Sequence, residues 1–324
     1  MKLKNLLKSL TLFAVLFSVS SCDTNTTRIG VLKFVNVPPL NDAYNGFVSV
    51  LEESDLKYKI DLKDANAEGA LVSSSALTLV GESDLVLGIA TPAASGLLAA
   101  REIKAKQIPI LFTAVTDPVY SGLMDDKDHP DNLITGTSDM NPVREQIELF
   151  TKLGLNIKKI GMIYSSNETN SIIQKDLALA AANEFDLDFT FKTFSETSEI
   201  SAVMDQLIED GIEGLYTPTD STLVSAYSAV YEKTKVARIP IIGGEEGMLD
   251  QGAVATLSIN YFRLGQLTGE MAIDIINGKD ISEMPVRYLD ETPLILHLEH
   301  AEEIGLVFPT ELLQEAETIL GAEA

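Results

Sequence analysis

Ile108-Pro109-Ile110-Leu111-Phe112-Thr113-Ala114-Val115-Thr116-Asp117-Pro118 begins as a continuous aliphatic run and breaks into small polar residues closed by a proline. A run that is apolar at every position, and not at every second one, suits a strand buried on both faces of a parallel sheet. The Asp-Pro end stops the strand and starts a turn. One such segment is a strand followed by a polar loop; a series of them with helix-length spacers is an architecture.

The series is present. Further runs of this kind are Ile29–Val35, Leu85–Ala90, Leu133–Gly136, Ile160–Tyr164, Gly214–Tyr216, Ile239–Ile242 and Val254–Ile259. Amphipathic segments of helical period lie between them, near 40–53, 93–104, 142–153, 168–184, 198–209, 221–234 and 261–277. The β-α-β-α order predicts an α/β fold made of two doubly wound, Rossmann-like lobes with a ligand cleft between them. The polar crossing Thr135-Gly-Thr-Ser-Asp-Met-Asn-Pro142 separates the two series. The expected division is 28–138 plus 260–283 for the N-terminal lobe and 139–259 plus 284–324 for the C-terminal lobe. Hinges are expected near Ser138–Met140, Ile259–Tyr261 and Met284–Val286.

Outward from the core, the N-terminus carries an address. Met1–Lys8 holds three lysines and no acid, Leu10–Val19 is largely apolar, and Ser20-Ser21-Cys22 follows. That is the charged, apolar and small-residue order of a secretory signal over 1–21. Val-Ser-Ser-Cys resembles the bacterial lipobox, which implies lipidation (palmitate among the acyl groups) of Cys22, with 22–27 as a tether. The expected location is extracytoplasmic, lipid-anchored to the cell membrane. Cys22 is the one cysteine in the chain, so no internal disulfide can form and stability must come from burial. Without 1–21 the chain has 21 basic against 48 acidic residues, a net charge of −27. Phosphate backbones need a basic face, so nucleic acid is excluded as a partner. The dispersed acids suit a soluble, monomeric protein.

In open α/β sheets, ligands bind beyond the carboxyl ends of strands, against helix N-termini. Five such ends here carry hydroxyl, carboxamide or acidic residues: Thr91–Ser95, Thr113–Pro118, Ser165–Ser171, Thr217–Ser221 and Gly243–Gly247. Thr91 and Thr116 offer hydroxyls beside helix-start amides, a combination that holds a carboxylate without a buried arginine. Glu245, Glu246 and Asp220 offer acceptors to an ammonium. Together they describe a clamp for an α-amino acid. A capping or turn role competes at each position, most directly for Asp117 and Asp220.

These loops in order resemble the ABC-transporter solute-binding lipoproteins of the tryptophan/tyrosine-binding type, within the type I periplasmic-binding-protein fold. The resemblance is carried by Ile29–Val35 with Pro38-Pro39-Leu40, Ala90–Ala94, Ile108–Pro118, Ile134–Asp139, Ile160–Ser171, Thr217–Asp220, Asn260-Tyr261 and Leu264-Gly265. It implies two lobes that close on a solute by hinge motion, no chemistry, no cofactor, and an ABC permease with its ATPase as partners. It implies ligand contacts from Asn36, Thr91, Ala93, Ala114, Thr116, Asp117, Asn167, Asn170, Asp220 and Glu245. Members often have Glu-His where this chain has Asn36-Val37, and Asn where it has Ser221. Both differences change the pocket wall, so the implied ligand is an amino acid, aromatic or smaller. On this reading Asp220→Ala loses ligand binding and leaves the fold's melting temperature within a few degrees.

An enzyme competes poorly. No strand feeds a Gly-x-Gly-x-x-Gly turn, and there is no Gly-Lys-Ser/Thr cradle or Gly-x-Ser-x-Gly elbow. The histidines are His129, in an acidic turn, and His297 with His300, whose spacing could bring two imidazoles to one metal but reads first as an ordinary surface pair. A sensing or adhesion lipoprotein without transport is the other alternative, followed by a binder of sugar or another small molecule.

Overall fold

A computed structural model describes residues 26–322. The signal segment and Cys22 lie outside the described residues.

The first sheet is built from β1 (Thr27–Lys33), β2 (Tyr58–Asp64), β3 (Leu85–Ile89), β4 (Ile110–Thr113) and β5 (Ile134–Gly136), all parallel, in the order β2-β1-β3-β4-β5. Its helices are α1 (Pro38–Glu52), α2 (Gly69–Glu82) and α3 (Thr91–Lys104). The second series supplies α4 (Val143–Lys152), β6 (Lys159–Ser165), α5 (Thr169–Glu184), β7 (Asp188–Phe194), α6 (Ile200–Glu209), β8 (Gly214–Thr217), α7 (Ser221–Val224) and α8 (Ser228–Ala237). It continues with β9 (Ile241–Gly243), a 3-10 turn at Glu246–Gln251 and β10 (Ala255–Leu257). The tail adds α9 (Tyr261–Ile276), β11 (Leu294–His297), α10 (Leu298–Glu303), α11 (Thr310–Glu315) and β12 (Thr318–Leu320). The second sheet runs β12-β11-β10-β9-β8-β6-β7, parallel except at β10–β11. Two α/β lobes with parallel sheets are what the continuous aliphatic runs predict. No helix among the described residues is long and apolar enough to cross a membrane.

The differences from the sequence reading have physical causes. Strands β2 and β7 are edge strands with partly exposed, mixed sequences (Tyr-Lys-Ile-Asp-Leu-Lys-Asp and Asp-Phe-Thr-Phe-Lys-Thr-Phe), so they lack the uninterrupted aliphatic signature of central strands. Helix α2 contains three consecutive serines, which blur its apolar face. The expected helix over 221–234 is two pieces, because the chain bends between Val224 and Ser228.

The chain passes between the sheets three times, and the crossings are laced together. After β5, Ser138 N donates to Arg287 O at 3.0 Å and Arg287 N to Gly136 O at 3.0 Å, so the first and third crossings run side by side. Ile259 N, on the second crossing, donates to Asn141 Oδ1 at 3.1 Å on the first.

Helix α9 returns from the second sheet to pack on α1 and β4 of the first. The α1–α9 approach is very close. A Cβ on Gly46 would lie 2.0 Å from Phe262 O, and one on Gly265 would lie 2.0 Å from Ala43 O. Gly265→Ala therefore sets two effects against each other. Helix propensity gains at most ~1 kcal/mol, whereas forcing two backbones apart costs about 3 kcal/mol. The expected outcome is a net loss of about 2 kcal/mol in urea unfolding, taking the difference of those magnitudes.

Candidate ligand-binding site

The strand orders place the site. In the first sheet the connections after β1 and β3 leave neighbouring strands, and in the second those after β6 and β8 do the same. Each pair brackets a topological switch point, where helix starts diverge and a crevice opens. The two crevices face each other across the crossings.

Between them lies a cavity of about 20 Å³. That is room for one or two water molecules, so the cleft is shut. The first lobe contributes Val37, Pro39, Leu40, Ala90, Thr91, Ala114 and Thr116 to its walls; the second contributes Asn170, Thr219, Asp220, Ser221, Val224 and Glu245. Asp139 and Tyr261, from the first and second crossings, complete it.

The backbone is strained where the first lobe meets the cavity. Ala90 has φ 78° and ψ 155°, and Ala114 has φ 54°. Such conformations cost roughly 1–3 kcal/mol in residues with a Cβ and persist only where the surroundings impose them. Here they end β3 and β4 and turn the start of α3 toward the cleft.

Four buried polar side-chain atoms lining the cavity have no hydrogen-bond partner among the described residues: Thr91 Oγ1, Asn170 Oδ1, Thr219 Oγ1 and Glu245 Oε1. A buried polar group without a partner costs roughly 1–3 kcal/mol, so several converging on one space mark a ligand site. Their orientation is fixed. Asn170 Nδ2 donates to Thr219 O at 2.8 Å, which turns its Oδ1 to the cavity. Glu245 Oε2 accepts from Gly247 N at 2.6 Å, which leaves Oε1 facing inward. Gln174 braces the same wall: its Oε1 accepts from Thr219 N at 3.0 Å and its Nε2 donates to Asn170 O at 3.1 Å.

The cavity is acidic, and no lysine, arginine or histidine lines it. Burial pushes the Glu245 carboxyl up to about 8, with Glu246, Asp139 and Asp250 adding to the rise and the Gly247 amide opposing it. Burial also raises Asp139, against the hydroxyls of Tyr261 and Thr116, which hydrogen-bond to it at 2.9 and 3.0 Å. Behind the wall, burial and then neighbouring Asp220 hold Glu168 well above the usual carboxylate range.

The residues singled out from the sequence fall into three groups. Thr91, Ala114, Thr116, Asn170, Asp220 and Glu245 meet at the cavity. Of these, Thr116 spends its hydroxyl on Asp139. Asp220 spends both oxygens on its own chain: Oδ2 accepts from Ser165 N and Ser171 Oγ, each at 2.7 Å, and Oδ1 from Leu223 N at 2.8 Å, capping α7. It therefore carries structure, which revises the expectation that Asp220→Ala would spare the fold. Ala93 sits buried in the first turn of α3, one step behind Thr91. Asn36, Asp117 and Asn167 are not brought to the cavity. Asn36 is exposed and accepts from Lys33 Nζ at 3.2 Å; Asp117 caps its own turn through Val119 N and Tyr120 N; exposed Asn167 donates to Ser195 O at 3.1 Å.

His297 and His300 stack with ring centroids 3.9 Å apart, and neither lines the cavity. Among the described residues, no group of three or more His, Cys, Asp or Glu side chains is placed to hold a metal.

Residues 28–320 match the family described as ABC transporter substrate binding protein. The chain belongs to that family. This substrate-binding protein is 36% identical over 275 residues to a tyrosine-binding protein of Clostridioides difficile, covering 83% of this chain and 78% of that one. It is 31% identical to a Streptococcus pneumoniae ABC domain solved in complex with L-Trp, with a TM-score of 0.86 over 91% of this chain and all of that one. Against the ligand-free, open structure of a Clostridium difficile substrate-binding protein with adhesive properties, also 31% identical and with the same coverage, the TM-score is 0.67. The shut cleft accords with the closer fit to the tryptophan complex. The family binds solutes and performs no catalysis, and its members work outside the cytoplasm.

Reading residues one at a time missed Asp139, Thr219, Tyr261 and Glu168 as parts of this substrate-binding site. All four lie in segments that carry the family resemblance, but the polarity of the first three alone reads as hinge, loop and helix start. Glu168 lies in the polar strand-end loop Ser165–Ser171, but nothing local ties it to its partner: its Oε1 accepts from Thr222 N at 2.7 Å and Thr222 Oγ1 at 2.6 Å, across 54 positions of sequence.

Proposed function

We propose that this protein captures an α-amino acid, of the aromatic type bound by its relatives, and delivers it to an ABC permease. The single observation behind the reading is the set of unpartnered polar atoms. Asn170 Oδ1 can only accept, Glu245 Oε1 accepts once the carboxyl is ionised, and Thr219 Oγ1 can accept beside them. Three acceptors on one wall suit an ammonium, which has three donors to place. Opposite them, Thr91 Oγ1 and the free amides at the start of α3 suit a carboxylate. Val37, Leu40 and Val224 offer the apolar surface for a side chain. Of the remaining candidates, Ala93, Ala114 and Thr116 shape or support the first-lobe wall and Asp220 the second, while Asn36, Asp117 and Asn167 serve local bonds away from the cavity.

The lobes, taken as 28–138 plus 260–283 and 139–259 plus 284–324, open and close about the laced crossings. A shut cleft of this volume cannot admit a phenol or indole ring, so binding requires opening. Lipid on Cys22 holds the protein near its permease and raises the local concentration there; several acyl chains are needed for a stable hold.

Calorimetry with the twenty amino acids tests the ligand class. Tyrosine or tryptophan is expected to bind with a Kd at or below ~100 μM, roughly 5–6 kcal/mol; silence from all twenty would rule the class out. The relative with adhesive properties supports a second role in attachment. Loss of host-cell attachment with unchanged amino-acid uptake, on deleting the protein from its cells, would put adhesion first.

A further inference from the structure

We propose that Glu245 holds a proton in the ligand-free closed cleft and releases it when the ligand's ammonium takes its place, so that pH sets how readily the unliganded cleft shuts. The inference rests on the amino-acid reading and on closure about the crossings, and adds a control to that site.

Glu245 is 2% exposed and lies at the start of the 3-10 turn, on the second lobe. Its Oε2 has one donor, Gly247 N, and its Oε1 faces the cavity with no partner among the described residues. Among the described residues, the ionisable groups that act on it are acids and phenols, while His297 and His300 face the far end of its turn at Asp250 and Leu249. Asp139 comes from the first crossing and Tyr261 from α9; Tyr227 stands behind, between α7 and α8. Glu246 and Asp250 share its turn, Asp42 of α1 faces Glu246, and Asp220 lines the same cavity. Asp139 is already satisfied by two hydroxyls, so it offers Glu245 no donor.

A buried carboxylate needs a compensating donor or cation; otherwise the group neutralises. Closure supplies neither. It carries Glu245 toward Asp139 and out of water, which disfavours two charges and favours one proton. An ammonium from the ligand reverses the balance, because it brings the positive charge that the walls lack. The exchange balances in charge: the zwitterionic ligand brings its ammonium to Glu245 and its carboxylate to Thr91 and the start of α3, and the Glu245 proton leaves to solvent, so the Glu245 position stays neutral as an ion pair. An open, hydrated cleft imposes no such demand.

Two measurements decide it. In the first, wild-type protein is titrated with L-tyrosine, and with L-tryptophan, at pH 7 in buffers of different ionisation enthalpy. The expected result is release of about one proton per ligand, with affinity rising roughly tenfold from pH 6 to pH 7 and levelling above pH 8. Binding with no proton release and pH-independent affinity overturns the proposal. In the second, small-angle scattering follows the ligand-free protein between pH 6.5 and 9.5. Wild type is expected to expand as pH rises, while Glu245→Gln stays compact across the range. Wild-type scattering that does not change with pH overturns the proposal as well. If neither amino acid binds, the ligand reading fails by itself, and the scattering experiment still decides the role of Glu245.

Discussion

Glu245→Gln is expected to weaken amino-acid binding by about 100- to 1,000-fold, since removing one partner of a buried charge pair costs roughly 3–4 kcal/mol. The geometry says why a near-isosteric change should matter so much. Gly247 N holds Oε2, so the amide oxygen of the variant takes that position. Its NH2 then faces the cavity, where a donor meets the ligand's donors. The same change should leave the ligand-free fold intact and alter its pH dependence. The Glu245 carboxyl is raised from the usual 4.5 to about 8. A group raised in the folded state contributes stability that is fully present below its unfolded value and is lost as pH rises through the folded one. Wild type should therefore lose stability between pH 4.5 and about 8 relative to the glutamine variant. Urea midpoints of the two proteins at pH 5 and pH 8.5 measure this; parallel pH profiles would show that the carboxyl is ionised throughout.

The second large effect is expected from Asp220→Ala, and it is an effect on the fold. The substitution strands Ser165 N, Leu223 N and Ser171 Oγ, all buried beside an aspartate 1% exposed. At roughly 1–3 kcal/mol for each stranded donor, less the relief of repulsion with Glu168, the net loss is about 3–5 kcal/mol. For a chain of this size that corresponds to a drop of about 6–10 °C in Tm. Asp220→Asn keeps one acceptor geometry and should fall between. If Asp220→Ala melts with wild type and only ligand affinity is lost, the internal bonds carry little and the residue serves the ligand directly.

These two acids show where sequence reasoning reaches and where it stops. Both stand at strand ends, both are buried, and the polar-loop pattern points to both equally. What separates them is one unfilled acceptor: Glu245 has an oxygen without a partner and Asp220 has none. That difference depends on Ser165 and Ser171, some 50 positions away, and no local pattern encodes it. The architecture was far more legible. Central strands such as Ile108–Thr113 must be apolar throughout because both their faces are covered, so their sequence announces the parallel sheet. Edge strands β2 and β7 carry no such obligation and stay hidden. Thr91 and Asn170 were readable as polar groups at helix starts. Asn36 and Asp117 share that signature and serve local bonds instead, because a turn residue that caps its own loop has the same chemistry as one that awaits a ligand.

The seating of α9 on α1 has a consequence for how the chain comes to be folded. Tyr261 follows Gly136, the end of β5, by 125 residues, and the whole second sheet up to β10 lies in between. The first lobe therefore cannot complete its core as it emerges from the ribosome. Gly46 and its neighbours on α1 wait, uncovered, until nearly the full length has passed. Late arrival of the last core helix thus delays packing of the first lobe by the chain's own topology.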